Sequence, residues 1–324
     1  VTFPRQAGHA ASEVASEAAS EAASEAASEA AALLAVSGVR LAYGGVTSLD
    51  EVSFRLAPGT LAALIGPNGA GKTSMVNVIS GVCRPDAGTV VLRSPDGRRH
   101  ELTGRGPTRV SRLGVARTFQ NIRLFGGLSA LDNVRVGLDN RPRGRGGAGG
   151  LGDLAAGLAR TPAFRRRERA ADERAAALLA LVGLAGREGA SAAALSYGER
   201  RRLEIARALG TDPRLLLVDE PAAGANHAEK QALVALLRRI NATGVAILLI
   251  EHDMAMVAAL ATTVVVLNFG RVIATGTPAE IRASQCVQDA YLGGPVEPGP
   301  ELERPAGAGG VARSAGPAEV GGGA

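Results

Sequence analysis

The stretch that most constrains this chain runs from Leu61 to Met75, LAALIGPNGAGKTSM. A short apolar run reads as a buried strand, and the turn that follows, Gly66-Pro67-Asn68-Gly69-Ala70-Gly71, ends in Lys72-Thr73-Ser74. Such a G-x-x-x-x-G-K-[ST] turn, leaving a strand and opening a helix, has the context a phosphate-binding loop requires. The glycines let backbone N–H groups face inward as an anion nest, and the helix opening near Lys72 adds its positive end. Lys72 is placed to reach phosphate oxygens as a point charge, and Thr73 to offer its hydroxyl to Mg²⁺. A mere strand-to-helix turn has no use for the Lys-Thr pair. The chain relies on arginine almost everywhere and contains only two lysines, Lys72 and Lys230.

The flanking chain reads as an α/β protein. Val36–Tyr43 and Asp50–Leu56 have strand character around the Gly44-Gly45 turn and suggest a hairpin. A helix is expected over 72–80, stopping at Gly81, and a short strand over Thr89–Arg93, followed by a Pro95-Asp96-Gly97 turn. From Ser129 to about Leu195 the pattern becomes helical, with a loop at Arg141–Gly150 and a helix over 162–182. Helix and strand then alternate: helix Gly198–Leu209, strand Arg214–Val218, helix His227–Ile240, strand Val245–Ile250, helix Asp253–Leu260 and strand Thr263–Asn268. Such alternation with short links implies a parallel sheet covered by helices. Residues 1–32 hold an Ala-Ser-Glu-Ala repeat that stacks glutamates four apart, and 295–324 are rich in Gly, Pro and Ala. Both are expected to be disordered, leaving 33–294 as the folded domain with a helical subdomain at about 129–195.

Bulk properties restrict the function less than the motifs do. The net charge of +5 comes from an arginine-rich composition and does not by itself call for nucleic acid. Cys83 and Cys286 have neither metal-type spacing nor a framework of partners, which fits a reducing compartment. No apolar run approaches the roughly 18 residues of a membrane span. The expected location is therefore the cytoplasm, with any membrane role exercised through partners.

Two further stations carry chemistry. Leu215-Leu216-Leu217-Val218-Asp219-Glu220 is an apolar strand ending in two carboxylates and closed by Pro221. Successive strand residues point oppositely, so the acids should have separate tasks. Asp219 is assigned to Mg²⁺ and Glu220 to polarising the attacking water as general base. Leu195-Ser196-Tyr197-Gly198-Glu199 opens a basic helix, and Ser196 and Glu199 have capping-box spacing. Two readings stay open for this segment: a well-capped amphipathic helix, or a helix start that meets a phosphate held by another subunit.

Taken together, the P-loop, LSYGE at 195–199 and LLLVDEP at 215–221 resemble an ATP-binding-cassette ATPase over about Leu33 to Gly294. The resemblance implies a P-loop NTPase (RecA-like) core with an antiparallel β subdomain and an inserted α-helical subdomain. It implies ATP and Mg²⁺ as ligands, in two subunits that hold two ATP molecules between each P-loop and the opposite Ser196-Tyr197-Gly198-Glu199 segment. By the same resemblance Tyr43 stacks on adenine, Gln120 senses Mg²⁺ and the γ-phosphate, and His252 contacts the γ-phosphate. Ala223-Gly224-Ala225-Asn226 matches the interfacial D-loop, where His227 replaces the usual proline. More narrowly, RTFQNIRLF at 117–125, EPAAGAN at 220–226, LLIEHDM at 248–254 and the insertion between Asn140 and Ala170 resemble the larger ATPase of branched-chain amino-acid importers. That implies a second ATPase subunit, two membrane permeases, an external binding protein and a place at the cytoplasmic face of the cell membrane. Importers of amides, urea or other amino acids, and soluble cassette ATPases, are the nearest alternatives. A GTPase should carry an N-K-x-D base-reading motif, which is absent from this sequence, and a simple P-loop kinase has no use for LSYGE.

Overall fold

The computed structural model describes residues 32–139 and 162–292. The N-terminal repeat, the loop expected at Arg141–Gly150 and the C-terminal Gly/Pro/Ala segment lie outside the described residues. Two sheets organise the rest. Strands β1 (Leu34–Tyr43), β2 (Val46–Leu56), β4 (Ala87–Arg93) and β5 (Arg99–Glu101) form an antiparallel sheet in the order β2-β1-β4-β5. Tyr43 pairs with Val46 across the two-residue Gly44-Gly45 link, so the expected hairpin is present with β2 starting earlier than the sequence suggested.

The second sheet has the order β10-β9-β3-β8-β7-β6, from β3 (Leu61–Ile65), β6 (Val115–Arg117), β7 (Leu215–Asp219), β8 (Ala246–Ile250), β9 (Thr263–Asn268) and β10 (Arg271–Gly276). Five of these strands run parallel, and β10 folds back antiparallel on β9. Both faces of the parallel strands are buried, which explains why β3, β7 and β8 read as unbroken apolar runs. Alternation still sorts their side chains. Leu61, Ala63 and Ile65 join the core on one face with Leu216, Val218, Ile247 and Leu249. Ala62 and Leu64 join the other with Leu215, Leu217, Leu248 and the antiparallel sheet.

The helices are α1 (Lys72–Ile79), α2 (Pro107–Arg112), α3 (Ala130–Asp139), α4 (Pro162–Leu181), α5 (Tyr197–Gly210), α6 (His227–Ala242), α7 (Met254–Leu260), α8 (Pro278–Ala283) and α9 (Gln285–Leu292). α1 packs in the core with the antiparallel sheet, while α3, α4, α5, α6 and α7 contribute to the opposite core. Gly137 of α3 lies so close to α5 that an added Cβ would collide with the Arg207 carbonyl, so glycine there sets the helix separation.

Register places the functional ends of the strands together. Leu64 and Asp219 both pair with Ile250, and Ile65 pairs with Val266. The residues that follow, Gly66, Glu220, Glu251-His252 and Phe269, therefore leave the sheet at one edge, where parallel α/β sheets form their ligand crevice. β8 stands between the P-loop strand and the strand ending in the two acids.

Candidate nucleotide site

The P-loop wraps the start of α1 as its glycines require. Gly69 and Gly71 have φ of 81° and 99°, and a Cβ on Gly71 would sit 2.5 Å from the Ser48 carbonyl oxygen. A larger residue would strain the backbone at both positions and lacks space at Gly71. Gly71 is the N-cap of α1 and provides no side-chain bond to the helix amides, and the first turn contains no acidic residue. The open N–H groups and the helix dipole thus favour an anion.

Lys72 is buried, and its ammonium donates to the carbonyls of Gly66 (2.7 Å) and Pro67 (2.8 Å). Burial pushes its pKa down, while the charges of Glu220 and Asp219 act the other way. Strand register sets both carboxylates at the sheet edge from which the P-loop departs. Thr73 is exposed beside it, and Ser74 Oγ lies 2.7 Å from Ser48 Oγ, tying α1 to β2. Pro67 is half-buried, Asn68 exposed and Ala70 buried within the loop. Tyr43 ends β1 half exposed, its hydroxyl 3.3 Å from Cys83 Sγ; that contact, ahead of burial, raises the phenol pKa, and Ser74 opposes it.

Asp219 and Glu220 diverge as strand geometry requires. Asp219 is buried and accepts a 3.0 Å ion pair from Arg117, which also donates to Asn77 of α1 at 2.6 Å. Glu220 accepts from Gln120 Nε2 at 2.7 Å. Its backbone has φ of 43°, a left-handed conformation seldom adopted by side chains other than glycine, asparagine and aspartate. Strain of this kind persists only where surroundings over-determine it, and it gathers at functional sites. Here the Glu220 N–H is held by the Ile250 carbonyl at 3.0 Å.

His252 is exposed at the same sheet edge, its backbone N–H bonded to Glu251. Glu251 is itself buried and accepts from the Ala222 N–H at 3.0 Å, fastening the segment that follows Pro221 to the end of β8. Lys230, the other lysine, pairs with Asp253 at 2.6 Å.

The oxygens of Thr73, Gln120 and Asp219, the residues assigned to Mg²⁺ by the sequence, are hard donors of the kind that ion takes. Among the described residues no group of three or more His, Cys, Asp and Glu side chains gathers. The ion would be held as Mg²⁺ commonly is, by few protein ligands together with phosphate oxygens.

Ser196, Gly198 and Glu199 stand apart from this cluster. Ser196 is the N-cap of α5, accepting from the Glu199 N–H at 3.3 Å, while Glu199 accepts from the Ser196 N–H at 2.9 Å. The capping box expected from their spacing is present. Ser196 and Tyr197 are exposed, and no hydrogen bond links this segment to the P-loop of the same chain.

Three charged residues were not singled out by sequence. Arg117 holds Asp219, as above. Arg201 and Glu204 lie on the buried face of α5 and grip the Gln120 segment. A cleft of about 580 Å³ adjoins that segment, lined by Val82, Pro107, Phe119, Phe125, Val136 and Arg207 among others. Val82, Phe125 and Val136 remain substantially exposed there.

With this geometry in place, comparison with known proteins decides the family. Residues 49–223 match the family model described as ABC transporter. The chain belongs to the ABC transporter family. Residues 271–297, covering β10 to α9 and a little beyond, match a second model described as branched-chain amino acid ATP-binding cassette transporter. The chain is 41% identical over 262 residues to the high-affinity branched-chain amino acid transport ATP-binding protein LivG of Salmonella typhimurium, covering 81% of this chain and 98% of LivG. It is equally similar, over the same shares, to the corresponding protein BraF of Pseudomonas aeruginosa. Among solved structures it is similar to an ABC transporter cassette in its ADP conformation, with a TM-score of 0.66 and 26% identity, covering 81% of this chain and 99% of that one. The P-loop NTPase fold expected from sequence is therefore present in this family member.

Proposed function

We propose that this chain is the ATP-hydrolysing subunit of an importer for branched-chain amino acids. One observation carries the enzymatic reading: Lys72, Asp219, Glu220 and Gln120 converge at a single sheet edge, behind an uncapped helix start. The identity of the solute rests on the transport named for LivG and BraF.

In this reading Lys72 exchanges the Gly66 and Pro67 carbonyls for β- and γ-phosphate oxygens, and the P-loop amides cradle the rest. Thr73, Gln120 and Asp219 hold Mg²⁺, which neutralises phosphate charge when bound. Tyr43 stacks on the base, Glu220 orients and deprotonates the attacking water, and His252 steadies the γ-phosphate from the neighbouring strand end. Release of Gln120 from Glu220 frees the carboxylate for that task.

The exposed Ser196-Tyr197-Gly198-Glu199 segment serves a second ATPase subunit, closing over the nucleotide held there. Closure dries the γ-phosphate and strengthens every charge around it. The half-apolar cleft beside Phe119 fits a cytoplasmic segment of a membrane permease, so that movement of the Gln120 loop and movement of the permease become one event. Among the described residues no helix is long and apolar enough to cross a membrane, and translocation is assigned to two permeases fed by an external binding protein.

Glu220→Gln tests the reading. It should bind ATP as the parent does and lose turnover by about 10²–10⁴-fold, the usual contribution of a positioned base. Hydrolysis at the parent rate would refute the role of Glu220. Uptake of labelled leucine, isoleucine and valine, measured beside amides in cells with and without the chain, separates the proposed solute class from its alternatives.

A further inference from the structure

The segment between β6 and α3, which carries Gln120, has no regular structure to fix it over residues 118–128. It is held instead from α5. Arg201, only 4% exposed, donates to the carbonyls of Phe119 at 2.7 Å and Gln120 at 3.3 Å, and reaches the Glu220 carbonyl at 3.4 Å. One turn further along, fully buried Glu204 accepts from the N–H groups of Phe119 (3.4 Å) and Arg123 (3.2 Å). Arg201 and Glu204 stand three residues apart on one face of the helix, with 3.6 Å between their charged atoms. The donor thus serves the carbonyls and the acceptor serves the amides of the same segment.

We propose that Arg201 is a positioning residue for hydrolysis: by joining the backbones of Gln120 and Glu220 to α5, it sets where each side chain stands when nucleotide binds. This rests on the ATPase reading of that site. The planar guanidinium suits the task, because its fixed fork can address several carbonyls together, whereas an ammonium acts as a single compact charge. The same helix begins at Ser196, about one and a half turns before Arg201. The surface offered to a partner subunit and the anchor of the chain's own hydrolytic pair therefore lie on one helix. A shift of α5 on partner docking reaches Gln120 and Glu220 through Arg201 without passing through the P-loop. Because Arg201 hydrogen-bonds Phe119, Gln120, Tyr197 and Glu220 and not Lys72 or the P-loop glycines, nucleotide affinity should be spared when turnover is not.

The test uses the full-length chain and its Arg201→Gln, Arg201→Lys, Gln120→Ala and Arg201→Gln/Gln120→Ala variants. ATP affinity, kcat, KM and thermal stability are measured for each. Arg201→Gln should lower kcat by about 10- to 100-fold, as misplacement of reacting groups does, with Kd and KM within about threefold of the parent. Arg201→Lys should fall between, and the double variant should lose less than the product of the two single losses, since both act in part through one loop. A folded Arg201→Gln chain with an unchanged kcat, or losses that multiply in the double variant, would overturn the proposal. If Arg201→Gln does not fold, Arg201→Lys decides by the same kcat criterion, because it keeps a buried charge facing Glu204. A parent chain that binds but never hydrolyses ATP would defeat the ATPase reading itself. An active parent with unaffected variants defeats the Arg201 assignment alone.

Discussion

The starts of α1 and α5 are both helix N-termini assigned to phosphate, yet they are built in opposite ways. α1 opens on Gly71, which offers no cap, and a lysine follows at once. α5 opens on Ser196, and its capping box with Glu199 already satisfies an amide at each position. The first end has its donors open and a cation in place, so it can bind an anion within one chain. The second end is partly capped and carries a carboxylate. Its Ser196 oxygen accepts from the Glu199 N–H, and the hydroxyl must leave the Glu199 carboxylate to serve an acceptor outside the helix. One end is therefore a receptor with its donors open, and the other is a partly capped helix start whose hydroxyl is already engaged with Glu199.

The sharpest way to break this contrast is Lys72→Met. Loss of charge-assisted contacts should weaken ATP binding by about two orders of magnitude, given ~3 kcal/mol for such contacts. Because burial depresses the Lys72 pKa, its charged form is penalised in the folded chain. Nucleotide-free Tm should therefore stay level or rise, and a marked fall in a melting experiment would contradict the electrostatic account.

A smaller effect is expected at the other end. Ser196→Ala should leave ATP affinity of the single chain unchanged, lower turnover by about tenfold, and cost ~1 kcal/mol of stability through the lost cap. Equal loss of affinity, measured by titration with nucleotide, would erase the distinction between receptor and donor.

Glu199→Gln should give the least change. The Ser196 backbone N–H, then its hydroxyl, hold the Glu199 pKa below the ordinary carboxylate value. Its contribution is thus complete above that ordinary value and disappears as pH falls through the depressed one. Melting curves should show a difference of about 1 °C at neutral pH that vanishes on acidification, and growth of the difference toward low pH would reverse the assigned sign.

The same two helices show what a sequence discloses. The P-loop was legible because its chemistry is local: a strand, a glycine turn and Lys72 are contiguous, and their identities dictate the geometry. The capping box at Ser196 and Glu199 was legible for the same reason. β7 and β8 announced themselves as unbroken apolar runs. By contrast, β5 and β6 span only three residues each, too few for a periodic signal. β10 has no fully buried residue and was passed over together with α8 and α9. Arg201 and Glu204 were hidden in a helix that reads only as basic, amphipathic and well capped. Their burial depends on a segment some 80 residues earlier folding back over α5, and nothing local reports that encounter. Arg117 was quoted only as part of a motif, since its ion pair with Asp219 spans 102 positions.

Glu220 occupies a main-chain conformation that glycine would adopt without resistance. Backbone ease and chemical need thus disagree at one residue, and the side chain there is not the one the local dihedrals would choose. A molecule selected only for persistence would relax this corner. Keeping a carboxylate there means tolerating a standing discomfort in the fold for the sake of a bond broken elsewhere, in the nucleotide.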